Sequence, residues 1–224
     1  QDPQELDQWR NTFADLPRPL IGFLIGGPTR PYIYDRSVLD KVLALAHNVA
    51  DRQGGTPYLT TSRRTPEWFT DALQESLPAA ARLFRWNAEA QDNPYKGILG
   101  LADGLIVTGD SISMMVEGIG LGRPVGILPL PVGFVGALDQ ARRNALSWLF
   151  ASRAEGASAL RQAVARLLYH LRLAHQSRNF QAFHRLLVAG GQAVWAGDEF
   201  KTPVATNEKD VERVVARIRQ IMQA

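Results

Sequence analysis

Between Leu20 and Leu128 five short apolar runs alternate with four stretches of helical apolar spacing, joined by polar or glycine-rich loops. Apolar runs of this length are too short for buried helices and read as strands covered on both faces. Five strands separated by four helices in about 110 residues read as parallel strands joined by helical crossovers, so the fold class is α/β with a doubly wound parallel sheet.

The elements follow from local signals. Glu5 to Ala14 reads as a leading helix, stopped by Leu16-Pro17-Arg18-Pro19. Leu20 to Ile25 is the first strand and closes in Gly26-Gly27-Pro28. Ser37 to Arg52 carries Val38, Val42, Leu45, Ala46 and Val49 at helical spacing, with Ser37 as predicted N-cap and Gly54-Gly55 as the stop. Pro57–Thr61 is the second strand, and Pro66–Ser76 is a helix with proline in its first turn. Strands are then predicted over Ala81–Trp86, Leu105–Thr108 and Pro124–Leu128, with helices over Tyr95–Ala102 and Ile112–Leu121 between them. After Pro131 the spacing turns helical, over 138–175, 179–189 and 211–222, with a loop over 198–207. The expected division is a leading helix and linker (1–19), a Rossmann-like nucleotide-binding core (20–137), a helical insertion (138–177) and C-terminal helices packed on the core (178–224).

Composition removes several classes of function. There is no cysteine, which excludes a disulfide scaffold, a thiolate zinc site and a cysteine nucleophile. His47, His170, His175 and His184 do not cluster and read as surface or packing residues, and no run of paired acids marks a metal site. No stretch reaches about 18 uninterrupted apolar residues, so no transmembrane span is predicted. The acidic, polar start at Gln1-Asp2-Pro3-Gln4-Glu5 predicts no signal peptide. Because it begins with Gln1, the chain reads as a piece of a longer one. The net charge of +3 is too mild for a nucleic-acid partner. Of the 25 Lys and Arg, however, 21 are arginine, the side chain suited to planar pairing with phosphate and carboxylate.

Open parallel sheets bind ligands at the carboxyl ends of their strands, which directs attention to the loops there. Gly26-Gly27-Pro28-Thr29-Arg30 is either a tight turn or a loop whose main-chain N–H groups face a phosphate. It matches neither the dinucleotide fingerprint nor a Walker A loop. In Thr60-Thr61-Ser62-Arg63-Arg64-Thr65-Pro66, hydroxyls and two guanidinium groups precede a helix N-terminus, which suits an anion better than it suits a simple cap. Thr108-Gly109-Asp110-Ser111-Ile112-Ser113 opens a helix on which Glu117 lies one turn beyond Ser113. Glu117 could hold the two hydroxyls of a ribose, or be an exposed residue on a capped helix. Asn93-Pro94-Tyr95 and Phe84-Arg85-Trp86 place aromatics beside a polar loop, available either to a base or to core packing.

These segments resemble a known pattern. Ala102-Asp103 through Glu117, then Gly122-Arg123-Pro124-Val125, looks like the donor-binding half of GT-B glycosyltransferases. The nearer resemblance is to the mitochondrial fission Elm-one family. It is carried by Ile25-Gly26-Gly27-Pro28-Thr29, Thr60 to Pro66, Asn93-Pro94-Tyr95, Val107 to Met114 and the Phe183-His184 pair, over residues 16–130 and 178–224. The resemblance implies a GT-B C-terminal-domain type of Rossmann-like sheet that binds a nucleotide-sugar or nucleoside diphosphate as substrate, with no further cofactor and no metal. It implies that Glu117 holds the ribose, that Gly26-Gly27 and Gly109 to Ser113 hold the pyrophosphate, and that residues 84–87, including Trp86, border the base. It also implies charge stabilisation by Arg63 and Arg64, with the general base on a preceding domain. Ser111 stands where the glycosyltransferase pattern has glycine. The first loop lacks the downstream glycine of a redox-cofactor site, which makes a nucleotide-sugar epimerase the weaker activity. The competing implication is a non-catalytic scaffold whose partner protein docks on 138–176. A cytoplasmic location, or one peripheral to the inner membrane, is expected.

Overall fold

The computed structural model describes residues 3–90, 92–134 and 180–204. Six parallel strands form its centre: β1 (Leu20–Ile25), β2 (Thr56–Thr61), β3 (Arg82–Phe84), β4 (Gly104–Thr108), β5 (Val125–Leu128) and β6 (Val194–Trp195). Their spatial order is β3-β2-β1-β4-β5-β6. This is the order of the dinucleotide-binding doubly wound sheet, and its direction of winding reverses between β1 and β4. The helices are α1 (Pro3–Phe13), α2 (Arg36–His47), α3 (Glu67–Ser76), α4 (Tyr95–Leu101), α5 (Ile112–Gly120) and α6 (Phe180–Ala189).

The period-2 geometry of β1 explains why both faces are covered. Ile21, Phe23 and Ile25 point into a cluster with Val38 and Val42 of α2 and Phe69 and Leu73 of α3. Leu20 and Leu24 point the other way, to Phe13 of α1, Ile98 and Leu99 of α4 and Met115 of α5. Gly22 lies on this second face, where α4 comes so close that a methyl at Gly22 would stand 2.2 Å from Ile98 Cγ2. All six residues of β1 are buried, as a doubly covered strand requires.

The sequence-based boundaries change in a few places, each for a local reason. The α2 N-cap is Asp35, not Ser37: Asp35 Oδ1 accepts Val38 N–H at 3.2 Å, while Ser37 donates its hydroxyl to the same oxygen at 2.7 Å. The α-helix gives way at Asn48 to a π-helical turn, Asn48–Arg52, and Gly54 at φ +65° turns the chain into β2. The third strand is shorter than predicted. Beyond Phe84 the Arg85 guanidinium reaches Asp71 at 2.7 Å and Gln74 at 3.0 Å, and Trp86 N–H donates to Thr61 Oγ1, so side-chain contacts replace the ladder. The segment after α6 adds a strand that the sequence reading does not include: Val194–Trp195 pairs with Gly126 and Ile127 of β5. The helices predicted over 138–175 and 211–222 fall outside the described residues, as does the insertion proposed for partner docking.

Candidate functional site

Three loops meet at the carboxyl edge of the sheet, beside the switch between β1 and β4. The loop after β4 supplies two anchors. Thr108 Oγ1 accepts the Gly26 N–H at 2.8 Å, and Asp110 Oδ2 accepts the Gly27 N–H at 3.0 Å. The two amides expected to face a phosphate are therefore engaged within the protein. The glycines serve the close approach of the loops: a methyl at Gly26 would stand 2.1 Å from Asp110 Oδ2, and one at Gly27 would stand 2.2 Å from the Arg64 carbonyl oxygen.

Asp110 organises the cluster. Its side chain is fully buried and also accepts hydrogen bonds from Tyr34 OH at 2.9 Å and Ser111 OH at 3.1 Å. Arg64 lies 3.5 Å from the same carboxylate through Nη2 and donates through Nη1 to Thr29 Oγ1. A buried carboxylate is tolerated when such donors replace its water. Burial, and then the negative charge of Asp110, push the Tyr34 hydroxyl far above its ordinary pKa, so it stays protonated and donates.

The hydroxyl-rich loop after β2 is also used internally. Thr65 OH donates to the Gly26 carbonyl at 2.5 Å, and Thr65 Oγ1 accepts the Ser62 N–H at 2.9 Å. Thr61 Oγ1 receives the Trp86 N–H. These bonds stitch the loops after β1, β2 and β3 together. Arg30 and Arg63 are different: both are exposed, and neither holds a hydrogen bond or ion pair among the described residues.

A second cleft, of about 480 Å³, opens between α4 and α5. Its lining includes Tyr95, Lys96 and Leu99 from α4 and Glu117 and Gly120 from α5, and none of the loop residues of the Asp110 cluster. Glu117 is exposed, as one of its two sequence readings has it, and Tyr95 OH donates to its Oε2 at 2.5 Å. Burial and the Glu117 charge together raise the Tyr95 pKa far above its usual value. Asn93 holds Tyr95 in place by accepting its backbone N–H at 3.0 Å. Ser113 is exposed on the first turn of α5, and Trp86 lies exposed past β3.

Two residues of the edge were not read from the sequence as site residues. Tyr34 carried no local signal. His184 reads from the sequence as a surface or packing residue and as half of the Phe183-His184 resemblance. It is 2% exposed, and its Cε1 would stand 3.1 Å from a methyl at Gly109. Its ring stacks on Tyr32 with centroids 6.3 Å apart and planes 16° apart. Burial lowers its pKa, against a hydrogen bond with the Gly109 backbone and the charge of Asp110. Among the described residues no three His, Asp or Glu side chains are grouped as a metal would require, and no helix is long and apolar enough to cross a membrane.

Comparison with known proteins places these features. The family model described as Mitochondrial fission ELM1 matches residues 2–143. The mitochondrial fission protein ELM1 of Arabidopsis thaliana is 30% identical over 120 residues, 54% of this chain and 28% of the plant protein. An uncharacterized Rickettsia prowazekii protein, RP120, is 26% identical over 109 residues, 48% of this chain and 31% of its own length. The chain thus spans less than a third of the length of these curated relatives. Among solved structures, a family 9 glycosyl transferase from Veillonella parvula overlaps 59% of this chain and 37% of its own, at 18% identity and a TM-score of 0.46, too low to bear on function.

Proposed function

Because this chain belongs to the mitochondrial fission ELM1 family, we propose that it is the nucleotide-binding part of a GT-B-type, glycosyltransferase-like protein that holds a nucleoside-diphosphate sugar without a metal. The observation that carries this reading is Glu117 on the wall of the α4–α5 cleft. Tyr95 occupies one of its oxygens. A carboxylate has about four acceptor positions, so capacity remains for the vicinal hydroxyls of a ribose. Arg30 and Arg63, uncommitted on the loops after β1 and β2, would face the diphosphate. Fixed guanidinium groups stabilise the charge that develops on a departing nucleoside diphosphate, which is the electrostatic task of such a site. The group that activates the acceptor is assigned on this reading to a preceding domain.

The test is calorimetry on the full-length protein with UDP-, GDP- and CMP-sugars. One of them is expected to bind, and Glu117→Ala is expected to weaken it about tenfold or more, the cost of losing a charged hydrogen-bond acceptor. If none binds, and Glu117→Ala changes nothing, the reading is refuted.

One observation favours a second reading, a non-catalytic scaffold. The Gly26 and Gly27 amides are already engaged, by Thr108 Oγ1 and the Asp110 carboxylate, at the strand ends where open α/β sheets take ligands. On that reading the Asp110 cluster is structural and the protein acts through a partner. Failure of every nucleotide-sugar to bind would favour it.

A further inference from the structure

The underside of α6 carries a second set of polar groups with no task in the readings above. A cleft of about 190 Å³ lies between α6, the end of β5 and β6, lined among others by Tyr32, Leu130, Gln181, His184, Arg185 and Trp195. It shares no residue with the Glu117 cleft. A volume only somewhat above that of a benzene-sized cavity of about 150 Å³ fits a single six-membered ring with substituents.

The feature that reports on this cleft is the His184 Nε2. It is buried, and it has no hydrogen-bond partner among the described residues. Orphaned buried polar atoms are rare in folded proteins, because each forfeits its hydration without return. Stacking on Tyr32 and the contact with Gly109 fix the ring, so His184 cannot swing out to solvent. The imidazole is held toward its neutral form by burial, which leaves one ring nitrogen able to accept a hydrogen bond and one able to donate.

Its neighbours define the ligand. Trp195, half-buried on the lining, offers an aromatic surface of the kind that packs against the C–H surface of a ring. The Gln181 carboxamide both donates and accepts, as a hydroxyl requires. Arg185 is exposed at the margin, with no hydrogen bond or ion pair among the described residues, and its guanidinium fork matches a phosphate or carboxylate. We propose that this cleft binds a monosaccharide-sized, hydroxylated ring that carries one anionic group. Hydroxyls meet Gln181, the ring lies against Trp195 beside the buried His184 imidazole, and the anion pairs with Arg185. A phosphorylated sugar and a sugar acid share this chemistry. The assignment does not depend on the Glu117 cleft taking a nucleotide.

The test follows the imidazole nitrogens of the full chain by long-range proton–nitrogen NMR, with His184 identified by loss of its signal in His184→Gln. Glucose 1-phosphate and glucuronate are the two probes; glucose, inorganic phosphate and benzoate are the controls. The expected result is a saturable shift of the His184 signal with at least one probe. Arg185→Ala, at an exposed position that leaves the core intact, is expected to weaken that binding about tenfold. Trp195→Leu is expected to weaken it as well. A shift with glucose 1-phosphate alone identifies the phosphoryl group as the anion, and one with glucuronate alone identifies the carboxylate. The proposal is overturned by any of three results: no shift with either probe to about 10 mM, binding unchanged in Arg185→Ala, or an equal response to inorganic phosphate or benzoate, which would mean that the ring hydroxyls are not read.

Discussion

Asp110→Ala should be among the most damaging single changes at the carboxyl edge of the sheet. The carboxylate is fully buried and accepts from the Gly27 N–H, the Tyr34 hydroxyl and the Ser111 hydroxyl. Truncation removes the acceptor and strands the first two donors in a place water does not reach. Each orphaned buried donor costs about 1–3 kcal/mol, giving a loss of about 2–6 kcal/mol. Ser111 is excluded from this sum because its hydroxyl can rotate. Tyr34→Phe provides the contrast: it removes one donor and leaves the carboxylate with its others, so about 1 kcal/mol is expected. Geometry adds a third measurement. A methyl at Gly26 would stand 2.1 Å from Asp110 Oδ2. Gly26→Ala should therefore cost less in the Asp110→Ala background than alone, a non-additivity that contact between the sites requires. Urea unfolding followed by circular dichroism reads all four variants. If Asp110→Ala loses less than about 1 kcal/mol, or if the Gly26 and Asp110 effects simply add, the cluster does not hold the loops in the way described.

Three further outcomes are expected. Arg123 donates through Nη1 to the Ala102 carbonyl at 3.1 Å and through Nη2 to the Gly100 carbonyl, tying the end of α4 to the turn before β5. Arg123→Ala should lower stability by about 1–3 kcal/mol, and Arg123→Lys should recover only part of it, because an ammonium lacks the fork; full recovery in a thermal melt would contradict this. Gly97→Ala would place a methyl 2.4 Å from Trp9 Cγ, lifting α1 from α4 at about 1–3 kcal/mol, and the loss should shrink when Trp9→Ala is added. The pH dependence has a definite sign. Burial lowers the folded-state pKa of His184, so as pH falls through about 6.5 the unfolded chain takes up the proton first. The stability this neutral ring contributes is complete above that pH and is lost below it, down toward the folded pKa. The Tm of the wild type should therefore fall more steeply than that of His184→Gln between about pH 7 and pH 5; parallel profiles would remove His184 from the account.

The doubly wound sheet was legible in the sequence because its cause is local. Strands buried on both faces must be apolar at every position, as Leu20–Ile25 is, and helices between them must carry a stripe at 3.6-residue spacing. Boundaries were less legible where side chains compete with the ladder, as Arg85 and Trp86 do past β3. A two-residue strand such as β6 has no period to detect and exists only because β5 offers it an edge. The polar loops were equally visible as candidates, but their task was not. The sequence shows that Gly26-Gly27, Thr61 to Arg64 and Thr108 to Ser111 are rich in donors and acceptors. Only the strand order puts Asp110 within reach of Gly27, Tyr34 and Arg64, residues 46 to 83 positions away in the chain. Topology, not composition, decided which hydrogen-bonding groups face each other and which, like Arg63, hold no bond among the described residues. It also decided that His184, on an amphipathic helix, would be buried at the edge with an imidazole nitrogen unmatched among the described residues. Local periodicity fixes what each segment becomes; the pairing of distant loops, set by strand order and packing, fixes what chemistry they can do.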